Sequence, residues 1–282
     1  MMESSIPEFP HDAPRQKPGQ TLGETLREAL RVALQAAEQS AELIRHYYHG
    51  NFEVEIKADL SPVTIADREA EAIIRQTLLQ AFPEHGFFGE ETGTSHGDAD
   101  YLWLVDPIDG TKSFVAGYGM FSTQIALMHR GELVLGVSSA PAHQEIAWAI
   151  RGGEVMVNGK PARLRAMQDI SQAAISTGNI QSLAASRHWQ ALGDILAQAN
   201  RTRGYGDYYH YHRLAAGQID AVIESDVNIL DIAALAVVVT TAGGVFTDLQ
   251  GRAPDLHTRS VLAAGPELHA QLLARLNPAE PA

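Results

Sequence analysis

Four short segments of this 282-residue chain concentrate acidic residues at the ends of expected helices and strands, and their types and spacing are typical of a divalent-cation site. The segments are AD at 66–67, GEE at 89–91, DPIDGT at 106–111 and LD at 230–231. In the third, Pro107 fixes one backbone angle and Gly110 permits a tight reversal, so Asp106 and Asp109 can converge. The carbonyl of Ile108 can turn inward as well. An all-oxygen set of this kind suits Mg²⁺ or Mn²⁺ better than Zn²⁺.

Electrostatics limits what such a cluster can be. Two carboxylates 4 Å apart repel by roughly 1 kcal/mol in water and roughly 4 kcal/mol at an effective dielectric constant of 20. Four of them must therefore take up protons, separate or bind cations, and bound cations would attract a phosphate. The spacing alone leaves a simpler alternative open, because Asp-Pro and Asp-Gly are common in turns and Asp231 could cap a helix.

The order of these motifs resembles that of the inositol monophosphatase superfamily. The similar segments are GEE at 89–91, WLVDPIDGT at 103–111, DIAA at 231–234 and AGG at 242–244, within a similarity from about residue 21 to 277. The histidinol-phosphate phosphatase branch is most similar, through SPVTIADREAE at 61–71, FPEHG at 82–86, GTKSF at 110–114 and GDYY at 206–209. Leu230 is a departure, because the family usually has an aromatic residue there, and this bears on substrate identity.

The resemblance implies a role for each matched residue. Two or three Mg²⁺ ions, replaceable by Mn²⁺, would be held by four side chains and one backbone carbonyl: Glu90, Asp106, Asp109, Asp231 and the carbonyl of Ile108. Thr111, paired with Asp67, would position and deprotonate the attacking water, and Glu90 would take part in the same catalytic step. Backbone N–H groups of Gly110 and Thr111 would hold phosphate oxygens beside Asp109.

The resemblance also places Asp207 and Glu224 at positions that contact the rest of the substrate. Histidinol phosphate carries an ammonium and an imidazole, and carboxylates and aromatic rings suit both. Tyr208 and Tyr209 are as consistent with core packing as with contact. His210 and His212 are two residues apart, which places them on different sides of a helix, and we expect both to be surface or packing residues.

Hydrophobic periodicity predicts the elements that must position these groups. The predicted helices are 21–50, Ala66–Phe82, His188–Asn200, Tyr208–Ala216, Asp231–Ala242 and Glu267–Leu276. The predicted strands are Tyr101–Val105, Ser122–His129, Leu133–Ser138, Glu145–Ile150, Ala173–Ser176, Asp220–Glu224, Val245–Thr247 and Val261–Ala264.

These elements predict an α/β protein with an α+β N-terminal half and an α/β C-terminal half. The resemblance implies a layered αβαβα sandwich of the inositol monophosphatase type. We expect a flexible, proline-bearing lead-in at 1–20, a metal-binding half at 21–150 and a substrate-recognition half at 151–282.

The composition of the chain limits the kinds of molecule that it is expected to bind. The chain has 34 acidic and 21 basic residues, a formal charge of −13, which disfavours binding to nucleic acid through phosphates. Cysteine is absent, which excludes disulfides and thiolate metal sites. No apolar run long enough for a membrane span and no signal peptide is recognisable, so a cytoplasmic location is expected. The resemblance implies a homodimer.

These observations favour a Mg²⁺-dependent phosphate monoester hydrolase, namely a histidinol-phosphate phosphatase of histidine biosynthesis. Two alternatives in the same class are an inositol-1-monophosphatase and a 3′-phosphoadenosine 5′-phosphate phosphatase. The second alternative needs basic residues for two phosphates, yet residues 204–231 contain only Arg213. An alternative of a different class is a non-catalytic regulatory or interaction protein on the same fold. It is disfavoured because every recognisable catalytic position is filled.

Overall fold

A computed structural model describes residues 21–50, 54–56 and 62–278, so the predicted lead-in at 1–20 lies outside the described residues. The described part forms eight α-helices: α1 Leu22–Tyr48, α2 Ile65–Ala81, α3 Thr111–Ala116, α4 Ile180–Ala185, α5 Trp189–Gln198, α6 Asp207–Ala215, α7 Ile229–Thr241 and α8 Pro266–Leu276. Every predicted helix is present, with ends shifted by a few residues. The predicted apolar stripe of α1 is buried from Leu26 to Ile44, whereas Leu22 is exposed.

An eight-stranded sheet forms the N-terminal part, beside a two-stranded ribbon of β1 Val54–Ile56 and β2 Pro62–Thr64. Its strands are β3 Gly86–Gly89, β4 Gly93–Ser95, β5 Tyr101–Asp109, β6 Ser122–His129, β7 Glu132–Ala140, β8 Glu145–Ile150, β9 Val155–Val157 and β10 Lys160–Pro161. They lie in the order β10-β9-β8-β7-β6-β5-β3-β4. All neighbours are antiparallel except β3 and β5, which run parallel. The carboxyl ends of β3 and β5 therefore meet at one edge, where the acidic motifs lie.

A five-stranded sheet forms the C-terminal part. Its strands are β11 Ala174–Gly178, β12 Arg201–Arg203, β13 Ala221–Ser225, β14 Val245–Thr247 and β15 Ser260–Ala264. They lie in the order β12-β11-β13-β15-β14, with β11 parallel to both of its neighbours. The ends of β11 and β13 are therefore adjacent, which brings Gly178 beside Glu224.

The helices and sheets stack in five layers. Helices α1 and α2 pack on the outer face of the eight-stranded sheet. Helices α6 and α7 lie between the two sheets and share one apolar core with both. Helices α5 and α8 cover the outer face of the five-stranded sheet. The predicted αβαβα sandwich is confirmed. None of the helices in the described part of the chain combines the length and the apolar character needed to span a bilayer.

One predicted boundary is wrong in a way that matters for the site. Strand β5 does not end at Val105 but runs on through Asp106 to Asp109. The backbone pairs Asp106 with Gln124 and Asp109 with Ser122, and a bulge takes up the residues between them. Pro107 is tolerated because a bulge removes the need for its missing N–H. The chain then reverses at Gly110, whose φ of 87° lies in the region that favours glycine.

Candidate active site

Three aspartates from two elements converge at the end of β5. Carboxylate oxygens of Asp106, Asp109 and Asp231 all lie within 4.8 Å of one another. Asp106 is buried and Oδ1 accepts the N–H of Ile108 at 2.9 Å, which turns the carboxylate back over the bulge. Asp109 accepts the hydroxyl of Ser122 at 3.2 Å. The predicted convergence of the DPIDGT segment is therefore confirmed.

Asp231 reaches the cluster from the first turn of α7. Its backbone position is N3 of a capping box in which Asn228, rather than Asp231, is the N-cap. Asp231 accepts the backbone N–H of Asn228 at 2.8 Å and its side-chain amide at 2.6 Å. Leu230 beside it is buried in the core between the two sheets. The capping alternative is thus partly correct, because one carboxylate both caps the helix and joins the cluster.

Glu90 follows directly on β3, an element that sequence periodicity did not predict. Its carboxylate raises the pKa of both Asp106 and Asp231. The turn after Glu90 is held by Glu71 of α2, which is fully buried and accepts the backbone N–H groups of Glu91 and Thr92, each at 2.8 Å. Gly89 is required there, because a Cβ atom would lie 2.5 Å from the Glu71 carboxylate.

Thr111 and Asp67 form the predicted pair. The hydroxyl of Thr111 lies 3.2 Å from Oδ1 of Asp67 and 3.0 Å from the carbonyl oxygen of Ile108. Both neighbours are acceptors, so the hydroxyl hydrogen points towards them and a lone pair faces away. Oδ2 of Asp67 is fixed by the N–H of Thr64 at 2.7 Å and its hydroxyl at 2.6 Å. Burial nevertheless raises the pKa of Asp67.

The cluster carries more negative charge than the described residues neutralise. Burial raises the pKa of Asp106 well above its usual range, and the charges of Glu90, Asp109 and Asp231 raise it further. Burial likewise raises the pKa of Asp231, to about 7. Within the described ranges, no lysine or arginine is ion-paired with Asp106, Asp109 or Asp231. Like charges held together in this way, all with oxygen donors, fit a hard divalent cation.

A second group of residues lines a cavity of about 90 Å³ that opens from the aspartates towards β11, β13 and α6. Its polar lining residues are Asp109, Asp231, Asn179, Asp207, Tyr211, Glu224 and Asp226. Asn179, Asp207 and Asp226 all have positive φ values, of 50°, 48° and 59°. Such strained backbone is concentrated at functional sites. Burial, together with the charge of Glu224, raises the pKa of Asp207 to about 6.

A wider groove of about 590 Å³ adjoins this cavity and shares Asn179 and Asp207 with it. Leu196, Ile180 and Tyr205 contribute apolar surface to the groove, and Arg203 contributes a cation. The two predicted substrate carboxylates, Asp207 and Glu224, thus lie on the side away from Asp67 and Thr111.

His210 and His212 are both fully buried, so the expectation that they lie on the surface is wrong and the packing alternative holds. Their opposite directions on α6 are confirmed. His210 contacts Glu224 at 3.1 Å, whereas His212 contacts Glu145 at 2.7 Å and Ser138 at 2.9 Å. Tyr208 is fully buried, and Tyr209 is half-buried.

Sequence reasoning missed several residues that shape the site: Glu71, Ser122, Asn179, His210 and Tyr211. Glu71 had a usable signal, because it lies four residues after Asp67 and hence on the same face of a helix. The others had none, because their partners are distant in sequence and become neighbours only when strands pair within a sheet or α6 packs against β13.

The fold brings together an acidic cluster that could hold a metal ion, and comparison with known proteins specifies the family. The family model described as "Inositol monophosphatase family" matches residues 25–280, and this chain belongs to that family. It is a phosphatase that acts on phosphate monoesters, and the family is generally metal-dependent.

Relatives carry several kinds of name, and histidinol-phosphatase and inositol-1-monophosphatase are two of them. A histidinol-phosphatase of Mycobacterium tuberculosis is 38% identical over 232 residues, covering 80% of this chain and 89% of that protein. A histidinol-phosphatase of Streptomyces coelicolor is 35% identical and covers 80% of this chain and 88% of that protein. An inositol-1-monophosphatase of Rhizobium meliloti is also 35% identical, and the match covers 75% of this chain and 81% of that protein.

Solved structures agree with the fold. An inositol monophosphatase from Zymomonas mobilis aligns with a TM-score of 0.77 and 34% identity, over 89% of this chain and 98% of that one. The extragenic suppressor protein suhB from Bartonella henselae aligns with a TM-score of 0.82 and 29% identity, over 89% and 99%. The family is therefore established, whereas the names of relatives leave the substrate unresolved.

Proposed function

We propose that this protein is a Mg²⁺-dependent histidinol-phosphate phosphatase. The single observation that carries the proposal is the division of the site into two acidic parts. One part, Asp106, Asp109 and Asp231 with Glu90, has the oxygen donors for cations. The other, Asp207 and Glu224, supplies negative charge where the alcohol portion of a monoester would lie.

In the first part, four carboxylates and the carbonyl of Ile108 would hold two or three Mg²⁺ ions, or Mn²⁺ in their place. The ions, when bound, would neutralise the charge of the phosphate oxygens and raise the acidity of water. Backbone N–H groups of Gly110 and Thr111, at the first turn of α3, would hold the phosphate oxygens.

Thr111 and Asp67 would activate the water. The hydroxyl of Thr111 donates towards Asp67, so its outward lone pair can accept a hydrogen bond from water. As the water oxygen bonds to phosphorus, its proton passes to Oγ of Thr111 while the hydroxyl proton of Thr111 passes to Oδ1 of Asp67. The raised pKa of Asp67 suits it to accept a proton. The bond between phosphorus and the alcohol oxygen breaks in the same step, and the alcohol oxygen keeps the electron pair and takes up a proton from water.

The second part favours histidinol phosphate over a polyol phosphate. The ammonium and imidazole of histidinol need acceptors, which Asp207 and Glu224 provide, whereas an inositol ring needs neutral hydrogen-bonding groups. The groove beside Asp207 gives an extended leaving group room that the small cavity lacks.

The test is phosphate release from a panel of monoesters with Mg²⁺: histidinol phosphate, inositol 1-phosphate and 3′-phosphoadenosine 5′-phosphate. We expect the highest kcat/KM with histidinol phosphate and complete loss of turnover when chelator is added. Asp98→Asn, an exposed acid, serves as the matched control for substitutions in the cluster. Equal or better turnover of inositol 1-phosphate would contradict the substrate assignment but leave the phosphatase assignment intact.

Inositol-1-monophosphatase is the second candidate, because relatives of comparable identity carry that name. A homodimer, which the family resemblance implies, and a cytoplasmic location belong to the same proposal. Light scattering of the purified protein tests the dimer, and a monomer at micromolar concentration would remove that part.

A further inference from the structure

Glu224 is a buried carboxylate whose two oxygens have different surroundings. Its side chain is 4% exposed. Oε2 accepts the hydroxyl of Tyr211 at 2.6 Å and lies 3.1 Å from Nε2 of His210. Two donors therefore converge on a single oxygen and fix the plane of the carboxylate.

The other oxygen lies against the end of β11. A Cβ atom on Gly178 would come within 1.9 Å of Oε1, so the observed position of Glu224 requires glycine there. Glu224 lines the cavity together with Asp109 and Asp231. Because Oε2 is already saturated by two donors, Oε1 is the acceptor left for a donor group that enters this cavity.

His210 is oriented by a second set of contacts. Its Nδ1 lies 3.3 Å from Oγ of Ser176, which accepts the backbone N–H of Tyr205 at 3.2 Å. Because the carboxylate of Glu224 accepts at Nε2, the imidazole proton lies on Nε2, and Nδ1 of the neutral ring accepts the hydroxyl hydrogen of Ser176. Tyr205 is two residues before Asp207, the first residue of α6. This chain of hydrogen bonds therefore connects the segment that leads to Asp207 with the carboxylate of Glu224.

We propose that His210 and Tyr211 are positioning residues that determine specificity: they hold Glu224 as a fixed acceptor for an ammonium or N–H group on the alcohol portion of the substrate. The inference rests on the proposed function only in assuming that a phosphate monoester enters the cavity beside Asp109 and Asp231.

A purely structural role explains the arrangement less well. Replacing a buried charged group by an apolar one of similar size is often neutral or stabilising, so packing alone does not call for a carboxylate. Here the fold places the Glu224 carboxylate near those of Asp109, Asp207 and Asp231. It supplies Oε2 with two hydrogen-bond donors and leaves Oε1 open. The neighbouring carboxylates and the open oxygen each raise the cost of burying this charge, whereas the two donors lower it, so the arrangement still lacks a donor at the open oxygen.

The experiment compares two substrates in four proteins. Wild type, His210→Leu, His210→Gln and Tyr211→Phe are assayed with histidinol phosphate and with 4-nitrophenyl phosphate, whose leaving group has no hydrogen-bond donor. Leucine and phenylalanine remove a donor to Glu224, which is expected to raise KM for histidinol phosphate about tenfold with kcat changed less than about twofold. Kinetics with 4-nitrophenyl phosphate should stay within about twofold of wild type. Glutamine retains a side-chain N–H and should restore KM to within about threefold.

The control is His269→Leu, which removes a buried imidazole bonded to Thr247, outside both the cavity and the groove. Thermal unfolding is measured for every variant, and Tyr211→Phe carries the test if His210→Leu does not fold. Equal losses with both substrates, or no loss with either, overturn the proposal.

Failure of the proposed function gives a different result. If wild type does not hydrolyse histidinol phosphate, the same comparison is made with the best monoester of the panel. The positioning role then stands only if Tyr211→Phe discriminates against a substrate whose alcohol portion carries hydrogen-bond donors. If Tyr211→Phe and wild type discriminate between the two substrates to the same extent, the positioning role is overturned.

Discussion

The molecule buries two kinds of carboxylate, and they are treated in opposite ways. Glu145, at the start of β8, is surrounded by donors: Nδ1 of His212 at 2.7 Å and the guanidinium of Arg213. Burial opposes its ionisation, but these hydrogen bonds outweigh burial and lower the pKa of Glu145 to about 2. Asp106, which is more deeply buried, has other carboxylates as neighbours, and its pKa is raised.

The contrast separates structural acids from functional ones. Glu145 ties β8 to α6 through the hydrogen bond from Nδ1 of His212, and burial lowers the pKa of that imidazole although the carboxylate opposes this. Within the described residues, the charge of Glu145 is paired by Arg213. The cluster at Asp106 is not satisfied within the described residues, which is the arrangement expected where the missing charge comes from a ligand.

The largest expected effect is on activity. Asp109→Asn keeps the shape of the side chain but removes one negative charge from the cluster, so turnover should fall by about 1000-fold, equivalent to about 4 kcal/mol of transition-state stabilisation. The free energy of unfolding without metal should stay the same or increase, because repulsion is relieved. Steady-state kinetics and urea unfolding in chelator measure the two effects. A substantial loss of metal-free stability would place Asp109 with the structural acids and break the contrast.

The opposite result is expected for Glu145→Gln. Removing one partner of a buried ion pair should lower the free energy of unfolding by about 3 kcal/mol. The folded-state pKa of Glu145 lies below its usual value, so its contribution is present above about pH 4.5 and is lost as the pH falls towards 2. Urea unfolding at pH 7, 5, 4 and 3 should therefore show the difference between wild type and variant narrowing below pH 4.5.

The control for that prediction is Glu132→Gln. Glu132 pairs with Arg151 at 2.9 Å, but both side chains are more than half exposed, so the variant should lose less than about 1 kcal/mol. A pH-independent effect of Glu145→Gln would mean that the residue contributes by packing rather than by charge.

Metal binding should give a smaller gain in stability. A cation present at about 100 times its Kd stabilises the folded state by about 2.7 kcal/mol. Calorimetric unfolding with and without Mg²⁺ should show an increase in Tm for wild type and for Asp98→Asn but little for Asp231→Asn. An equal increase in all three proteins would mean that Mg²⁺ binds elsewhere on the acidic surface.

The smallest effect is expected for Glu71→Gln. Glutamine can accept only one of the two N–H bonds that Glu71 receives, which loosens the turn after Glu90. Affinity for Mn²⁺, measured by isothermal titration, should weaken about tenfold, as is typical when the support of a metal ligand is removed. Unchanged affinity would place Glu71 with Glu145, as an acid that serves the fold alone.

The sequence was sufficient to predict the acids of the cluster, but it was insufficient to predict the residues that hold them in place. The spacing of Asp106 and Asp109, together with resemblance, indicated the cluster because a proline and a glycine constrain that segment locally. Glu71 has a local signal in its position on the same helix face as Asp67, whereas His210 gains its role from a partner on another element and no local pattern marks it. Strand β3 was missed because four residues bounded by glycines give too short a periodicity, although Glu90 depends on it.

Asp67 and Glu71 lie one helical turn apart on α2, one reaching Thr111 and the other the turn that carries Glu90. A single inserted or deleted residue between them would rotate one relative to the other by about 100° around the helix axis. Lineages descended from this protein should therefore accept substitutions along the exposed side of α2 far more readily than any change in its length between these two positions.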